Sequence, residues 1–192
     1  MRIMGFRRIT PSRTAGVSVQ KDYKKYREQL RKDFNCRCGY CDDIDIPRAE
    51  RFEIDHFVPR KIDITRELDY SNLVYACRSC NNAKRAKWPT EDKQLPNDGK
   101  TGWIDPCDAN YDSQFERGAY GEIVAVTDIG KWMFDALNLW KPQHEILWCY
   151  EEIEKQINEV SEHLDNIHDE VTLKQIIAMR ELKEKILKKL YL

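Results

Sequence analysis

The chain has 192 residues, of which 41% are hydrophobic and 34% are charged, and its formal net charge is −1. This composition is typical of a water-soluble globular protein with one domain, or with a small domain and a helical appendage. The sequence contains no signal peptide and no apolar run of about 18 residues, so it indicates a cytoplasmic protein that does not cross a membrane.

Charge is unevenly distributed along the chain. Residues 1–100 contain 22 Lys and Arg against 15 Asp and Glu, whereas residues 101–192 contain 10 against 18. The basic half suits a polyanionic partner, while the acidic half would be repelled by one.

The predicted elements of the N-terminal half form two segments. Residues 1–35 make a basic, irregular stretch and a helix over 20–34, with Tyr23, Tyr26, Leu30 and Phe34 on its apolar side. We interpret the opposite, lysine- and arginine-rich side as a solvated face. Residues 36–90 contain a cysteine-rich turn, a strand over 51–55, a loop over 57–71, a strand over 73–77 and a helix that opens at about residues 80–87.

The C-terminal half is predicted to be mostly helical. Residues 91–140 contain a linker, a hairpin over 115–126 and a helix over 128–140. Residues 141–192 contain two helices, the first with a heptad seam. An antiparallel helical hairpin is the simplest interpretation, and a seam for dimerisation or partner docking is the alternative. The predicted fold class is α+β, with a small core in the N-terminal half.

Cysteine spacing predicts a zinc site. The chain has seven cysteines, and a reducing compartment disfavours a disulfide framework. Cys38 and Cys41 form one C-x2-C pair, and Cys77 and Cys80 form another. Four thiolates satisfy tetrahedral Zn²⁺ and leave no open position, so the ion would be structural. Cys36 could replace Cys38, but only Cys38 gives a spacing that mirrors the second pair.

Three motifs are interleaved with these cysteine pairs: an Asp-His pair that ends a strand, an Asn-Leu after a loop, and a Cys-Asn-x-x-Lys that opens a helix. Their residues are Asp55-His56, Asn72-Leu73 and Cys80-Asn81-Asn82-Ala83-Lys84. In this order the sequence resembles the H-N-H endonucleases of the ββα-metal class, although Asn81 stands where many members have His. The resemblance covers roughly residues 36–88 and implies a ββα-metal core that cleaves nucleic acid.

The chemistry of phosphodiester cleavage explains why these residue types are needed. His56 titrates near neutral pH and can accept a proton from water. Asp55 and Asn81 offer hard oxygen ligands that suit Mg²⁺ or Mn²⁺. The resemblance implies the same roles, and it implies that Asn72 orders the loop that orients His56. On the predicted helix, Lys84, Arg85 and Lys87 are expected to contact phosphates.

The resemblance implies DNA as the substrate rather than RNA. Residues 102–107 and 115–117 are also similar to H-N-H proteins of bacterial anti-phage defence, of the Septu and retron types, which implies an ATPase partner that would dock on the C-terminal helices. Two alternatives stay open: a non-catalytic zinc module that binds nucleic acid or protein, and an assembly subunit, a homo-oligomer included, with a vestigial core.

Overall fold

The computed structural model of the chain describes residues 4–46, 51–162 and 170–190. It divides into two compact units: residues 1–119 with 123–140, and residues 120–122 with 141–192. The strands are β1 (Met4–Gly5), β2 (Phe52–His56), β3 (Leu73–Cys77), β4 (Phe115–Arg117) and β5 (Ile123–Ala125). The α-helices are α1 (Arg27–Asp33), α2 (Arg78–Lys84), α3 (Asp128–Leu137), α4 (Gln143–Glu162) and α5 (Glu170–Leu190).

The centre of the first unit is the antiparallel β2–β3 hairpin followed by α2. Phe52 pairs with Cys77 and His56 with Leu73, and every residue of β3 is buried. Helix α2 begins directly after β3, where the sulfur of Cys77 accepts a hydrogen bond from the Cys80 amide. It ends at Lys84, because the φ of 48° at Arg85 is incompatible with further helix. This arrangement confirms the predicted α+β class with a small ββα core.

Chain segments on both sides of the hairpin complete its core. Strand β4 lies between β1 and β5 in a second, antiparallel sheet. The guanidinium of Arg117, in β4, donates to the Cys41 carbonyl at 2.7 Å, and the Tyr111 hydroxyl donates to the Tyr40 carbonyl at 2.8 Å. Trp103 is fully buried in the same cluster. The turn that carries Tyr40 and Cys41 is therefore braced by residues more than 70 positions away from it in sequence.

A carboxylate in α1 ties the N-terminal segment to the loop before β3. Asp33 accepts hydrogen bonds from the Thr14 amide at 2.6 Å and from the Tyr70 hydroxyl at 2.6 Å. Burial alone would raise the pKa of the Asp33 carboxyl, but the hydrogen bonds from Tyr70, Thr14 and Gln29 outweigh it and lower that pKa below its ordinary value. Asp33 is therefore held in its ionised form by neutral donors.

The second unit consists mainly of α4 and α5. Lys183 of α5 forms an ion pair with Glu154 and lies 5.2 Å from the Tyr150 ring centroid. Lys183 of α5 therefore packs against the middle of α4. The end of the predicted heptad seam, at Leu164 and Ile167, lies outside the described residues. Among the described helices, none combines the length and apolar character needed to span a membrane.

Three helix boundaries differ from the predictions for local reasons. The predicted helix over 20–34 is a 3-10 turn, Tyr23–Tyr26, followed by the shorter α1. The helix expected from residue 80 begins at Arg78, because Cys77 caps it. The helix expected to reach residue 140 ends at Leu137, because Asn138 adopts a left-handed conformation with a φ of 56°.

Candidate functional site

Four cysteine sulfurs meet beside the ββα element. The sulfurs of Cys38, Cys41, Cys77 and Cys80 all lie within 4.8 Å of one another, and all four residues are buried. The Cys41 and Cys77 sulfurs are 3.8 Å apart. A zinc ion about 2.3 Å from four tetrahedral sulfurs would place neighbouring sulfurs about 3.8 Å apart, so this donor set fits Zn²⁺. Cys36 is half-buried and does not belong to the cluster.

Local packing shapes the turn that carries the first cysteine pair. The Gly39 amide donates to the Tyr75 carbonyl at 2.8 Å, which binds the turn to β3. A Cβ atom on Gly39 would lie 2.6 Å from a ring carbon of Phe34 and 2.8 Å from a methyl carbon of Val74. Only glycine therefore allows the two cysteines of this turn to approach β3 so closely.

The thiols of the cluster are strongly coupled. Burial raises the pKa of the Cys38 thiol, but hydrogen bonds from Cys41, Cys77 and Cys80 outweigh burial and bring it well below the ordinary value. Burial and the contact with Cys38 raise the pKa of Cys41 well above the ordinary value. A cation bound among the sulfurs would stabilise all four as thiolates.

The carboxylate of Asp55, near the end of β2, is bound by two buried side chains. Its Oδ2 atom accepts from the Tyr40 hydroxyl at 2.5 Å and from the Lys84 ammonium at 2.9 Å. Burial, followed by the negative charge of Asp55, raises the pKa of Tyr40 well above the ordinary value, so the phenol remains a donor. Both contacts are to Oδ2, which leaves Oδ1 as the oxygen that could bind an ion.

The position of Lys84 corrects the expectation that it contacts phosphate. The side chain is fully buried, and its ammonium also donates to the His56 carbonyl at 2.9 Å. Helix α2 turns this residue toward the β2–β3 hairpin, where its charge neutralises Asp55. An ammonium enclosed in this way is not available to a nucleic-acid backbone.

His56 has one ring nitrogen fixed by the backbone. Its Nε2 atom lies 3.0 Å from the Glu67 carbonyl oxygen. A carbonyl can only accept a hydrogen bond, so in the neutral ring Nε2 carries the proton and Nδ1 has the free lone pair. Burial, with a smaller contribution from Arg60, lowers the pKa of His56 below its ordinary value, despite the opposing effects of Glu67 and Asp55. The neutral form required of a general base is therefore favoured at neutral pH.

Asn72 stabilises the loop that supplies this carbonyl. The side chain is fully buried. It accepts from the Val58 amide at 2.8 Å and donates to the Val58 and Arg66 carbonyls at 3.1 and 3.3 Å. Because Arg66 directly precedes Glu67, this asparagine joins both ends of the loop around His56.

Asn81 lies in the same cavity as His56 and Asp55. This cavity has a volume of about 390 Å³, and Arg85 is also on its wall. The Asn81 side-chain nitrogen donates to Glu53 at 2.6 Å, and Glu53 is paired with Arg78. Because its nitrogen donates to Glu53, Asn81 retains its Oδ1 atom as a hard oxygen that could bind an ion.

The other two predicted phosphate contacts differ from each other. Arg85 is exposed and lines the cavity, which agrees with a phosphate contact. Lys87 is exposed as a residue, but its ammonium donates to the Ala136 carbonyl at 3.0 Å, away from the cavity walls. Within the described chain, Arg85 is therefore the one of the three predicted basic residues that lies on this cavity.

Sequence reasoning missed Tyr40 and Tyr23 as parts of the site. Tyr40 lies inside the first C-x2-C pair, a position that gives no indication of a contact with Asp55. Tyr23 was assigned to an apolar helix side, but its ring packs edge-on against His56 with centroids 4.8 Å apart. Neither contact can be deduced from local spacing, because each joins residues from different elements.

Comparison with known proteins finds a similarity to one family for part of the first half of the chain. Residues 38–87 match the family model described as HNH endonuclease. The matched region contains the four clustered cysteines, β2, β3 and α2, and covers about a quarter of the chain. A search of curated proteins found no match. Residues 38–87 are thus similar to HNH endonucleases, and Tyr23 lies before the matched region.

Proposed function

We propose that this chain is a metal-dependent endonuclease that hydrolyses phosphodiester bonds of nucleic acid at the cavity between β2 and α2. The observation that carries the proposal is the state of His56. Its Nε2 atom is held by the Glu67 carbonyl, and its ring shares a cavity with Asp55 and Asn81. A base with a defined free nitrogen thus lies beside two hard oxygen ligands.

Each residue of the cavity has a separate role in the proposed reaction. His56 Nδ1 accepts a proton from the attacking water, while the Glu67 carbonyl keeps the ring in the required tautomer. Asp55 Oδ1 and Asn81 Oδ1 would hold Mg²⁺ or Mn²⁺. Such an ion, when bound, neutralises developing charge on the phosphate and the leaving oxygen. Asn72 preserves the loop geometry on which the orientation of His56 depends.

The cysteine cluster has a different role in this proposal. Four sulfur ligands would complete the coordination of Zn²⁺ and leave no position for substrate. The ion would link the 38–41 turn to the start of α2, and so hold Asn81 opposite Asp55. Zinc therefore supports the cavity without entering the reaction.

The test is cleavage of plasmid DNA by purified, zinc-loaded protein in Mg²⁺, in Mn²⁺ and in EDTA. The wild type should cut only with a divalent ion, and His56→Ala should reduce the rate at least about 100-fold. Cys36→Ser is a matched control, because Cys36 lies outside both the cluster and the cavity. An RNA of the same sequence, run in parallel, tests the preference for DNA that the family resemblance implies.

The outcomes distinguish the candidate functions. Equal cutting by the wild type and His56→Ala would refute the assignment of the base. Absence of cutting with either ion, in protein that retains zinc and binds DNA, would favour a non-catalytic zinc-stabilised binding module. Loss of zinc in His56→Ala would make the variant uninformative, so His56→Gln provides a second substitution at the same position.

We further propose a role in anti-phage defence together with an ATPase subunit that docks on α4 and α5. The resemblance of residues 102–107 and 115–117 to nucleases of defence systems supports this role. Helix α5 exposes apolar side chains, among them Leu173 at 49% and Ile177 at 57%. Ile177→Lys should abolish co-purification with a co-expressed ATPase subunit, whereas a chain truncated after Trp140 that still co-purified would refute the docking. A change in oligomeric state on Ile177→Lys would indicate self-association instead.

A further inference from the structure

A second cavity lies beside the cavity of His56. The first has a volume of about 390 Å³ and the second of about 350 Å³. Tyr23, Ile54 and Asn81 line both of them. The three shared residues place the two cavities side by side, and we call the pair of cavities the strand groove. It runs from the residues around His56 past Asn81 to the 3-10 turn before α1.

The strand groove is rich in cationic side chains. Its walls carry five of them, of which Arg60 is paired with Glu67 at 2.8 Å: Lys24, Arg27, Arg60, Lys61 and Arg85. Its two acidic residues, Asp55 and Glu53, each have a cationic partner at 2.9 Å, Lys84 and Arg78 respectively. The acidic charges are therefore compensated locally, and the groove presents a net positive potential to a polyanion.

Tyr23 connects the two parts of the groove. Its ring packs edge-on against His56, and the Arg60 guanidinium lies 5.7 Å from its ring centroid. The Tyr23 backbone belongs to the 3-10 turn, which lies outside the matched HNH region. Tyr23 is half-buried and lines both cavities, and its hydroxyl makes no hydrogen bond to the described residues.

We propose that Tyr23 and Lys24 extend the HNH site into a groove for one nucleic-acid strand, with Lys24 binding a backbone phosphate away from the cut and the Tyr23 hydroxyl donating to a phosphate between them. This inference rests on the proposed function, because it places the scissile phosphate beside His56. Contacts to phosphates position a strand without reading its sequence. The N-terminal segment thus determines where a strand lies, and the HNH domain cuts it.

Lys24 and Lys25 provide a matched pair for the test. Both are exposed lysines of the same 3-10 turn, but only Lys24 lines the groove. Affinity for a fluorescein-labelled duplex and single strand of about 20 nucleotides is measured by fluorescence anisotropy from about 50 to 200 mM salt. All variants are made in the His56→Ala background, so that no cleavage occurs during the titration.

The expected results differ for the two kinds of contact. Lys24→Ala should reduce the slope of log affinity against log salt by about 0.9 for the duplex and about 0.7 for the single strand, because one phosphate contact is lost. Lys25→Ala should leave the slope unchanged. Tyr23→Phe should lower affinity about tenfold with the slope unchanged, because a neutral donor to a charged group releases no counterion.

Binding and cleavage can fail separately in this design. If the Lys24 and Tyr23 effects appear in a protein whose His56-containing form does not cut DNA, the groove is supported and the proposed nuclease activity is refuted. If the protein cuts DNA but Lys24→Ala and Lys25→Ala have equal slopes, the groove is refuted and the nuclease is not. Absence of measurable binding at the lowest salt also overturns the groove.

Discussion

Replacing Lys84 with methionine removes one buried charge from the site and leaves the length of the side chain nearly unchanged. The Lys84 side chain is 0% exposed and that of Asp55 is 7% exposed. In Lys84→Met, the Asp55 carboxylate loses its cationic partner and the His56 carbonyl loses its donor. Removing one partner of a buried ion pair costs about 3–5 kcal/mol, because the remaining charge is left uncompensated. We expect a loss of this size in the free energy of unfolding.

Urea denaturation of the zinc-loaded protein, followed by tryptophan fluorescence, measures this loss. Four of the five tryptophans lie in the first unit, so the signal reports mainly on the unit that contains Lys84. Lys131→Met is the control, because its pair with Asp128 is 66% and 70% exposed. It should change the free energy of unfolding by less than about 1 kcal/mol.

A double-mutant cycle with Asp55→Asn tests the reasoning itself. If the pair is the cause, the two single losses should not add, and the double variant should be more stable than their sum predicts by about 1–3 kcal/mol. Independent, additive losses would contradict the pairing. If Lys84→Met were as stable as the wild type but showed a weaker salt dependence of DNA binding, the result would support the phosphate contact that the sequence predicted.

Three further predictions concern the zinc site and the N-terminal segment. Cys38→Ser should lower the zinc content measured by mass spectrometry, whereas Cys36→Ser should retain the zinc. Equal zinc loss in the two variants would contradict the assignment of Cys38, rather than Cys36, to the cluster. Gly39→Ala should destabilise the protein by about 1–3 kcal/mol in urea, because its methyl group would overlap Phe34; an unchanged midpoint would contradict this packing. The pKa of Asp33 is lowered in the folded state, so its contribution to stability is present above its unfolded pKa near 3.8 and is lost as pH falls through the folded value. The difference in the free energy of unfolding between the wild type and Asp33→Asn should therefore shrink below about pH 4. A difference that stayed constant down to pH 2 would refute the lowered pKa of Asp33.

The local sequence predicted the elements of the ββα core well. Two C-x2-C pairs predicted which four of the seven cysteines would meet, because a two-residue spacing allows both sulfurs of a turn to face one point. The apolar run over 73–77 predicted β3 with its observed bounds. The Asp-His pair was placed correctly at the end of a strand, since alternation and the following Pro59 limit where that strand can continue.

Only the tertiary structure decided what the polar and aromatic side chains contact. A lysine three residues after Asn81 has the same helical spacing whether it faces solvent or the hairpin, so its burial against Asp55 was invisible in the sequence. Tyr23 occupies an apolar helical position, but periodicity identifies a face and not the residue that will pack on it. Its contact with His56 joins positions 33 residues apart, and such a contact depends on how the N-terminal turn packs against β2. Short-range spacing therefore predicted the four-cysteine cluster, while long-range packing created the paired carboxylate and the groove beside it.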